Sequence, residues 1–334
     1  MPSPSPARDW PASFGGRPFL VIGRAGMDLY ADPPGTPIEE AHRYTACLGG
    51  SSANIAAALV RQGCPAALVT RVSDDAVGRF ALAELDRYGI GRAHVRTIGG
   101  EARNSLAVVE TRLQDCQAVI YRNGAADFGM DRADVALPDH AAHAALVATG
   151  TLLAAEPSRG ASLHAFALAR AAGRPVVFDI DYRPYSWASA AEAAEVCSGA
   201  AAQADIVVGN DVEFGVLAGG AERGLDAARA LAKAGALVVY KRGEKGAITF
   251  DGAAEHRTGI YRTEALKPTG AGDAFLGGFL AALAAGAETR AAVLRGSATA
   301  AMVVARVGCA PAMPTAAELA AFLAAHPGPT DPED

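Results

Sequence analysis

The chain has 334 residues, 51% of them hydrophobic, and a formal net charge of −6 at pH 7. The negative charge argues against the basic surface that nucleic-acid binding needs, and no apolar run approaches the roughly 18 residues of a membrane-spanning helix, so neither partner is expected. A chain of this length and apolar content suffices for one α/β domain with an insertion.

The two ends of the chain are predicted to lie outside the folded domain. Residues 1–17 are rich in Pro and Ser and lack the apolar segment of a signal peptide, so a disordered tail is expected there. Residues 327–334 are expected to form a second disordered tail, which leaves 18–326 as the domain. Dispersed cysteines without a CxxC pair indicate reduced thiols and a cytoplasmic protein: Cys47, Cys64, Cys116, Cys197 and Cys309.

The first predicted element is a buried strand at 18–23, a short apolar run bounded by Pro and Gly. Arg24 and Asp28 follow it, and ligands bind at the carboxyl ends of strands in open α/β sheets. Asp28 is interpreted either as an acceptor for the hydroxyl groups of a polyol or as a turn former before the next loop.

A glycine turn at Gly49 and Gly50 precedes an Ala-rich helix that is predicted to end at 62–63. Asn54 lies in the first turn of this helix, where a polar amide among Ala and Ile is out of pattern. A buried asparagine needs hydrogen-bond partners, which the hydroxyl groups of a substrate would supply. The structural alternative is that Asn54 fixes the preceding loop.

Residues 104–112 and 117–122 alternate between apolar and polar side chains, which predicts a β-hairpin. The segments from about 27 to 48 and from about 100 to 123 are together expected to form a small sheet that lies as a lid across the mouth of the site. Arg122, at the exit of the hairpin, suits the capture of a carboxylate.

The remaining residues alternate between strands and helices, which predicts a doubly wound, mostly parallel sheet with helices on both faces. The predicted strands are 66–70, 145–149, 175–180, 204–209 and 237–241. The predicted helices are 76–88, 159–172, 190–201, 225–234, 291–306 and 315–325.

Polar residues follow several of these strands, among them Arg183 and Lys241. Asn210 and Glu213 are spaced to meet in the first turn of a helix, where they can hold phosphate oxygens and the water shell of Mg²⁺. Taken singly, the same two residues are a helix cap and a solvated glutamate.

The stretch from Thr269 to Gly272 is a glycine turn that opens onto a strongly apolar helix. Backbone N–H groups at a helix N-terminus favour a phosphate group, and glycine lets the main chain approach it closely. Asp273 is the one carboxylate there, and its expected role is to take a proton from a hydroxyl group that attacks the phosphate. The alternative is that Asp273 caps the helix.

Motifs in this chain occur in the order found in the ribokinase/PfkB carbohydrate kinase family, which the chain resembles over 18–325. The motifs are 49–54, 210–213, 241–246 and 270–273. The resemblance implies a ribokinase-like fold with a β lid. It also implies an enzyme that transfers phosphate from ATP to a primary hydroxyl group, with Mg²⁺ present.

The resemblance also implies roles for individual residues. Asp273 would be the general base, and the N–H groups of Gly270, Ala271 and Gly272 would form the anion hole. The expected substrate-binding residues are Arg24, Asp28, Gly49, Gly50, Asn54, Arg122 and Arg183. The expected nucleotide-binding residues are Asn210, Glu213, Lys241, Gly243, Gly246, Thr269, Ser297 and Ala298, with Mg²⁺ held near Glu213 through water and phosphate.

Further stretches resemble the branch of this family that acts in inositol catabolism, which implies a sugar acid as substrate: 23–30, 70–72, 178–184 and 309–315. Arg24, Arg122 and Arg183 offer cations for its carboxylate. One alternative is a kinase of the same family for 2-keto-3-deoxygluconate or fructose. An alternative of another class is a non-catalytic protein that senses a nucleotide or a sugar.

Two residues depart from the family pattern. Lys267 stands where the family commonly has an acidic or amide residue, and Ser52 stands where the inositol branch more often has proline. Because a lysine at position 267 could alter how a monovalent cation is bound, no site is assigned to such an ion. The resemblance further implies a homodimer that forms through the lid.

Overall fold

The computed structural model describes residues 9–331 of the chain. Its strands are β1 (Phe19–Ile22), β2 (Gly26–Asp32), β3 (Arg43–Gly49), β4 (Ala66–Ser73), β5 (Gly91–Ile98), β6 (Leu106–Val109), β7 (Ala118–Tyr121), β8 (Leu146–Thr149), β9 (Val176–Asp179), β10 (Ile206–Asn210), β11 (Leu237–Lys241), β12 (Ala247–Asp251) and β13 (Ala254–Thr258). Its α-helices are α1 (Trp10–Phe14), α2 (Ser51–Arg61), α3 (Ala76–Tyr88), α4 (Arg132–Ala136), α5 (Ser158–Ala171), α6 (Ala190–Ala201), α7 (Asp211–Leu217), α8 (Gly224–Lys233), α9 (Ala271–Ala284), α10 (Thr289–Val304) and α11 (Ala316–Ala325).

Within these residues the main sheet has nine strands in the order β13-β12-β11-β10-β9-β8-β1-β4-β5. Every pair from β11 to β5 is parallel, and β12 and β13 add an antiparallel edge. The predicted fold class is therefore confirmed. The strands β5, β12 and β13 were not predicted. The edge strands β5 and β13 are largely exposed and lack the continuous apolar run of a buried parallel strand, and β12 is a short, buried antiparallel strand between β11 and β13.

Successive side chains of each buried strand point to opposite faces of the main sheet. In β1, Phe19 and Val21 pack in the core that contains α2, α9 and α10, whereas Leu20 and Ile22 pack in the core that contains α5, α6 and α8. Helices thus cover both faces, as predicted. No described helix is both long enough and apolar enough to cross a bilayer.

A second sheet of four strands, in the order β3-β2-β6-β7, forms the lid. The hairpin of β6 and β7 confirms the prediction for this region, and β2 joins it in parallel. Asp28 lies inside β2, opposite Cys47 of β3, so the interpretation of Asp28 as a turn former is wrong. Only Gly23 to Ala25 separate the end of β1 from the start of the lid.

Helix α9 lies unusually close to its neighbours on two sides. A Cβ atom built on Gly277 would lie 2.3 Å from the Cβ atom of Ala58 in α2, and one built on Gly278 would lie 2.4 Å from Oγ1 of Thr299 in α10. No side chain fits at either position, so the glycines permit this spacing. The packing brings the N-terminal turn of α9 beside the first turn of α2.

The prediction of a disordered tail over 1–17 is wrong for the part that the structure describes, and residues 1–8 lie outside the described residues. Asp9 caps α1 by accepting a hydrogen bond from the N–H of Ala12 at 3.1 Å. Trp10 and Phe14, one helical turn apart, are buried against Phe19 and the core below α9. Burial of these aromatic side chains stabilises a helix that composition alone does not predict.

The predicted tail at 327–334 also needs correction. The N–H of Thr330 donates to the carbonyl oxygen of Ile260 at 2.8 Å, and the N–H of Ile260 donates to Oγ1 of Thr330 at 3.1 Å. Gly259 permits this approach, because a Cβ atom there would lie 1.9 Å from the carbonyl oxygen of Thr330. The segment up to residue 331 is therefore held to the domain, and 332–334 lie outside the described residues.

Candidate active site

A cavity of about 960 Å³ opens at the carboxyl ends of β9, β10 and β11, beside the N-terminus of α9. Most of the residues predicted to bind nucleotide or to act in catalysis line it: Asn210, Glu213, Lys241, Gly243, Gly246, Thr269, Gly270, Ala271, Gly272, Asp273 and Ser297. Arg183, predicted to bind the substrate, lines it as well. The parallel sheet brings these positions together because its strands end at one common edge.

The N-terminus of α9 forms one wall of this cavity. Gly270 is its N-cap, with a φ of 82°, and a Cβ atom there would lie 2.8 Å from Sγ of Cys309. Lys241 reaches the same turn. A Cβ atom built on Gly272 would lie 3.6 Å from the Nζ atom of Lys241. The first N–H groups of a helix have no partner within the helix, so this turn offers both donors and a cation to an anion.

Asp273 lies at the floor of the cavity, in the first turn of α9. Because Gly270 is the N-cap, the interpretation of Asp273 as the cap is wrong. The side-chain amide of Asn54 donates to Oδ2 of Asp273 at 2.9 Å. Burial and then the negative charge of Asp181 raise the pKa of Asp273 to about 7, against the hydrogen bond from Asn54 and the positive charges of Arg183 and Lys241. A carboxyl group with this pKa can exchange a proton near neutral pH.

Two aspartates of this cavity were not among the predicted site residues. Asp179 is buried at the end of β9, and burial, together with Glu213 and Asp181, raises its pKa to about 8 in spite of the charge of Lys241. Asp181 accepts a hydrogen bond from Oγ of Ser51 at 2.7 Å. The signal in the sequence is a pair of acidic residues, two apart, at the carboxyl end of a predicted strand.

Asn210 and Glu213 form a capping box at the start of α7. The N–H of Glu213 donates to Oδ1 of Asn210 at 2.9 Å, and the N–H of Asn210 donates to Oε2 of Glu213 at 2.7 Å. The helix-cap interpretation is therefore confirmed, but Glu213 is buried rather than solvated, and burial raises its pKa. Among residues 9–331 no group of acidic, His or Cys side chains is placed to hold a metal by itself.

Two buried side-chain oxygen atoms of the site lack hydrogen-bond partners in the described part of the chain. Oδ1 of Asp28 and Oδ1 of Asn54 accept no hydrogen bond from any described residue. Gly49 leaves room for the Asp28 carboxylate, since a Cβ atom there would lie 1.9 Å from Oδ1 of Asp28, and Gly50, with a φ of 99°, passes close to the backbone of Arg24. Buried acceptors require donors, and the hydroxyl groups of a carbohydrate are donors of the right kind.

The structure contradicts the prediction that Arg122 offers a free cation. Its guanidinium is buried, pairs with the carboxylate of Asp127 through Nε at 3.0 Å, donates to the carbonyl oxygen of Thr151 at 2.9 Å and lies over the ring of Phe128. Because Asp127 follows Arg122 by five residues, the chain folds back and neutralises the charge. Such a pair is structural.

Arg183 and Arg24 differ in whether a carboxylate pairs with the guanidinium group. Arg183 pairs with Asp181 at 2.7 Å, so its charge too is largely matched. Arg24 is buried and donates to Oγ of Ser105 at 3.2 Å, a neutral group, and it forms no ion pair with any residue in 9–331. Of the three predicted arginines, Arg24 is therefore the one without an ion pair to a described residue, although its positive charge opposes the rise that burial causes in the pKa of Asp28.

The far end of the cavity is lined by glycine turns and by α10. Gly246, with a φ of 80°, lies so close to Thr258 that a Cβ atom would be 1.9 Å from its carbonyl oxygen. Ser297 lines the cavity, whereas Ala298 is fully buried and packs with Tyr261, so its contact with a nucleotide stays a prediction. Ala301, one turn beyond Ser297, lines the cavity instead.

Comparison with known proteins gives concordant results. The model of the pfkB family carbohydrate kinases matches residues 19–316. A Bacillus cereus protein named 5-dehydro-2-deoxygluconokinase 1 is 37% identical over 317 residues, which cover 92% of this chain and 95% of the relative. A PfkB protein from Polaromonas has a similar structure, with a TM-score of 0.80, 31% identity and coverage of 91% and 99% of the two chains.

A double mutant of a Vibrio cholerae fructokinase, crystallised with fructose, ADP and potassium ion, is similar as well. It has a TM-score of 0.80 and 27% identity, and the match covers 92% of this chain and 98% of the fructokinase. The relatives thus agree with the fold and with the family resemblance of the motifs.

The Asp273 carboxyl group is expected to titrate near pH 7. Asp181→Asn should lower the pKa of Asp273, because it removes a negative charge that favours the protonated form. Carbon-13 NMR of aspartate-labelled protein measures both values, with the Asp273 signal assigned by its loss in Asp273→Asn. Asp226→Asn, at an exposed position of α8, is the control that should leave the titration unchanged. A titration at the ordinary pH of an aspartate would contradict the burial of this group.

Proposed function

The chain belongs to the pfkB family of carbohydrate kinases and is an ATP-dependent sugar kinase, and from this premise we propose that its substrate is a sugar acid and that Asp273 is the general base. The observation that carries the proposal is the position of Asp273. It lies in the first turn of α9 and accepts a hydrogen bond from Asn54, whose own side-chain oxygen has no partner among the described residues.

In the proposed reaction the sugar hydroxyl group donates a hydrogen bond to Asp273, whose other oxygen is held by Asn54. The proton moves to Asp273 as the bond from the sugar oxygen to the γ-phosphorus forms. The bond from the γ-phosphorus to its bridging oxygen breaks and ADP leaves. The N–H groups of Gly270, Ala271 and Gly272, with the nearby ammonium of Lys241, stabilise the negative charge on the transferring group.

ATP is proposed to occupy the cavity with its phosphates toward α9 and its base toward Gly243, Gly246 and Ser297. The Oγ1 atom of Thr269 is buried and has no partner among the described residues, so it is free to bind a phosphate oxygen. The carboxylates of Asp179 and Glu213 fit Mg²⁺ held through its water shell rather than in a closed cage, and the ion supplies neutralisation of phosphate charge when bound.

The substrate is proposed to be 5-dehydro-2-deoxy-D-gluconate, in line with the names of the curated relatives at 36–37% identity. The physical support is the Arg24 guanidinium, which has no ion pair with a described residue and suits a carboxylate in a site where hydroxyl groups meet Asp28 and Asn54. A second candidate is a neutral hexose such as fructose, which the similar fructokinase structure favours. For the neutral sugar, the charge of Arg24 would act only on groups of the chain such as Asp28.

The protein is further proposed to be a cytoplasmic homodimer that forms through the lid. All five cysteines are free, as a reducing compartment requires. Exposed apolar side chains cluster on the lid and the loop of its hairpin: Tyr44, Leu113, Val119 and Tyr121. An antiparallel sheet normally turns a polar face to water, so such a face suits a second copy of the same lid.

Asp273→Asn should lower kcat by about 10²–10⁴-fold and leave the KM for the sugar nearly unchanged, because it removes the proton acceptor but keeps the side-chain shape. Steady-state kinetics with ATP, Mg²⁺ and the sugar acid measure both constants. Asp226→Asn is the matched control. A kcat close to that of the wild type would show that Asp273 is not the base, and sugar binding without turnover by the wild type would favour a sensor.

Arg24→Met should raise the KM for the sugar acid by about 10- to 100-fold, the effect of losing a charged hydrogen bond of about 1.5–3 kcal/mol. The KM for a neutral hexose should change little. Arg92→Met, at an exposed arginine of β5, is the control and should affect neither. Equal effects of Arg24→Met on acid and neutral sugar would mean that Arg24 does not bind the carboxylate.

Tyr121→Glu should convert the proposed dimer to a monomer, because it places a charge in the apolar face of the lid. Sedimentation equilibrium of the wild type and the variant measures the change. Leu137→Glu places the same charge at an exposed position outside the lid and should leave the dimer intact. A wild type that sediments as a monomer would exclude this assembly.

A further inference from the structure

Lys267 is a fully buried lysine with no exposed surface and forms no ion pair with any described residue. Burial of a charged side chain without a partner is costly, and lysine is among the residues least often fully buried. The position of Lys267 next to the anion-hole turn, three residues before Gly270, suggests that this cost is offset by a role at that turn.

Two backbone carbonyl groups accept hydrogen bonds from the Nζ atom of Lys267. One is Thr269, at 2.5 Å, and the other is Val303, at 3.4 Å. Val303 lies in the last turn of α10, where the helix dipole is negative, and its carbonyl oxygen also accepts a hydrogen bond from the N–H of Arg306 at 3.2 Å. The N–H groups of Leu266 and Lys267 also donate to Val304 in this turn, at 2.7 and 3.2 Å.

This environment is one that a monovalent cation takes in proteins, since such ions are held by backbone carbonyl oxygens. Burial lowers the pKa of Lys267, and nearby acidic groups, the thiol of Cys309 first and the carboxyl group of Asp273 next, oppose that shift. A second cation beside the same carbonyls would meet the charge of Lys267 at close range. The monovalent cation that was considered from the family resemblance therefore does not fit this site while the ammonium group of Lys267 fills it.

The hydrogen bond to Thr269 also sets the direction of the anion hole. In a planar trans peptide the carbonyl group of one residue and the N–H group of the next point in opposite directions. When the carbonyl of Thr269 faces the ammonium of Lys267, the N–H of Gly270 faces away from it. The cation thus fixes the orientation of the first peptide of the turn that precedes α9.

We propose that Lys267 is a positioning residue whose ammonium group acts as a tethered monovalent cation, so that the enzyme needs no potassium for catalysis. The inference rests on the proposed anion-hole role of Gly270 to Gly272. Lys267 acts through the backbone of Thr269.

The first test uses the wild-type enzyme. Its kcat should be the same in potassium, sodium and tetramethylammonium chloride at equal ionic strength, and its thermal midpoint should not respond specifically to potassium. A kcat that requires potassium would overturn the inference and leave the kinase intact. Absence of turnover in every salt would instead count against the proposed function, so the two failures are distinguishable.

The second test uses Lys267→Gly, which leaves a space lined by the same carbonyls. This variant should lose about 10²-fold or more in kcat with little change in the KM for the sugar, the loss expected when an anion-hole donor is misdirected. Potassium, ammonium or methylammonium should restore part of kcat and raise the thermal midpoint of the variant. Lys233→Met, at an exposed lysine of α8, is the control.

A folded Lys267→Gly protein that none of these cations rescues would overturn the inference, because a merely structural lysine would behave in that way. A variant that does not fold leaves the salt dependence of the wild type as the deciding measurement.

Discussion

The close packing of α9 between α2 and α10 is the constraint on which the rest of the site depends. Gly277 and Gly278 allow three helices to lie nearer to one another than side chains permit. Only at that spacing does Asn54, in the first turn of α2, reach Asp273 in the first turn of α9. The contact between the proposed sugar side and the proposed phosphate side of the site is therefore built into the helix packing beneath the sheet edge.

Electrostatic balance at the sheet edge follows from this arrangement. Burial raises the pKa values of the carboxyl groups of Asp179, Glu213 and Asp273, and the negative charge of Asp181 adds to that effect at each of them. Lys241 and Arg183 oppose it, so the pKa values of Asp179 and Asp273 stay near neutrality. A site with mixed charge of this kind can accept a polyanion and still keep a base that releases and takes up a proton.

The sequence predicted the regular part of this molecule well and its local exceptions poorly. Buried strands, helix boundaries such as those of α3 and the turn at 270–273 carry strong local patterns. Arg122 was misjudged because its partner Asp127 becomes close only when the loop folds back. The helix at Trp10–Phe14 was missed because its stability comes from aromatic burial against distant residues, and the burial of Lys267 depends on the carbonyl groups of α10.

The position of Asp28 in the lid has a consequence for how this chain tolerates insertions and deletions. Side chains along β2 alternate between the two faces of the lid, so a shift of one residue would turn Asp28 and Tyr30 away from the domain. A single insertion between Ile22 and Gly26 produces that shift unless a bulge absorbs it. The loop between β2 and β3 lies beyond Asp28, so a change in its length leaves the facing of Asp28 intact, although it would disturb the hydrogen bonds that tie Gly35 to Thr111 and Ile38 to Glu110.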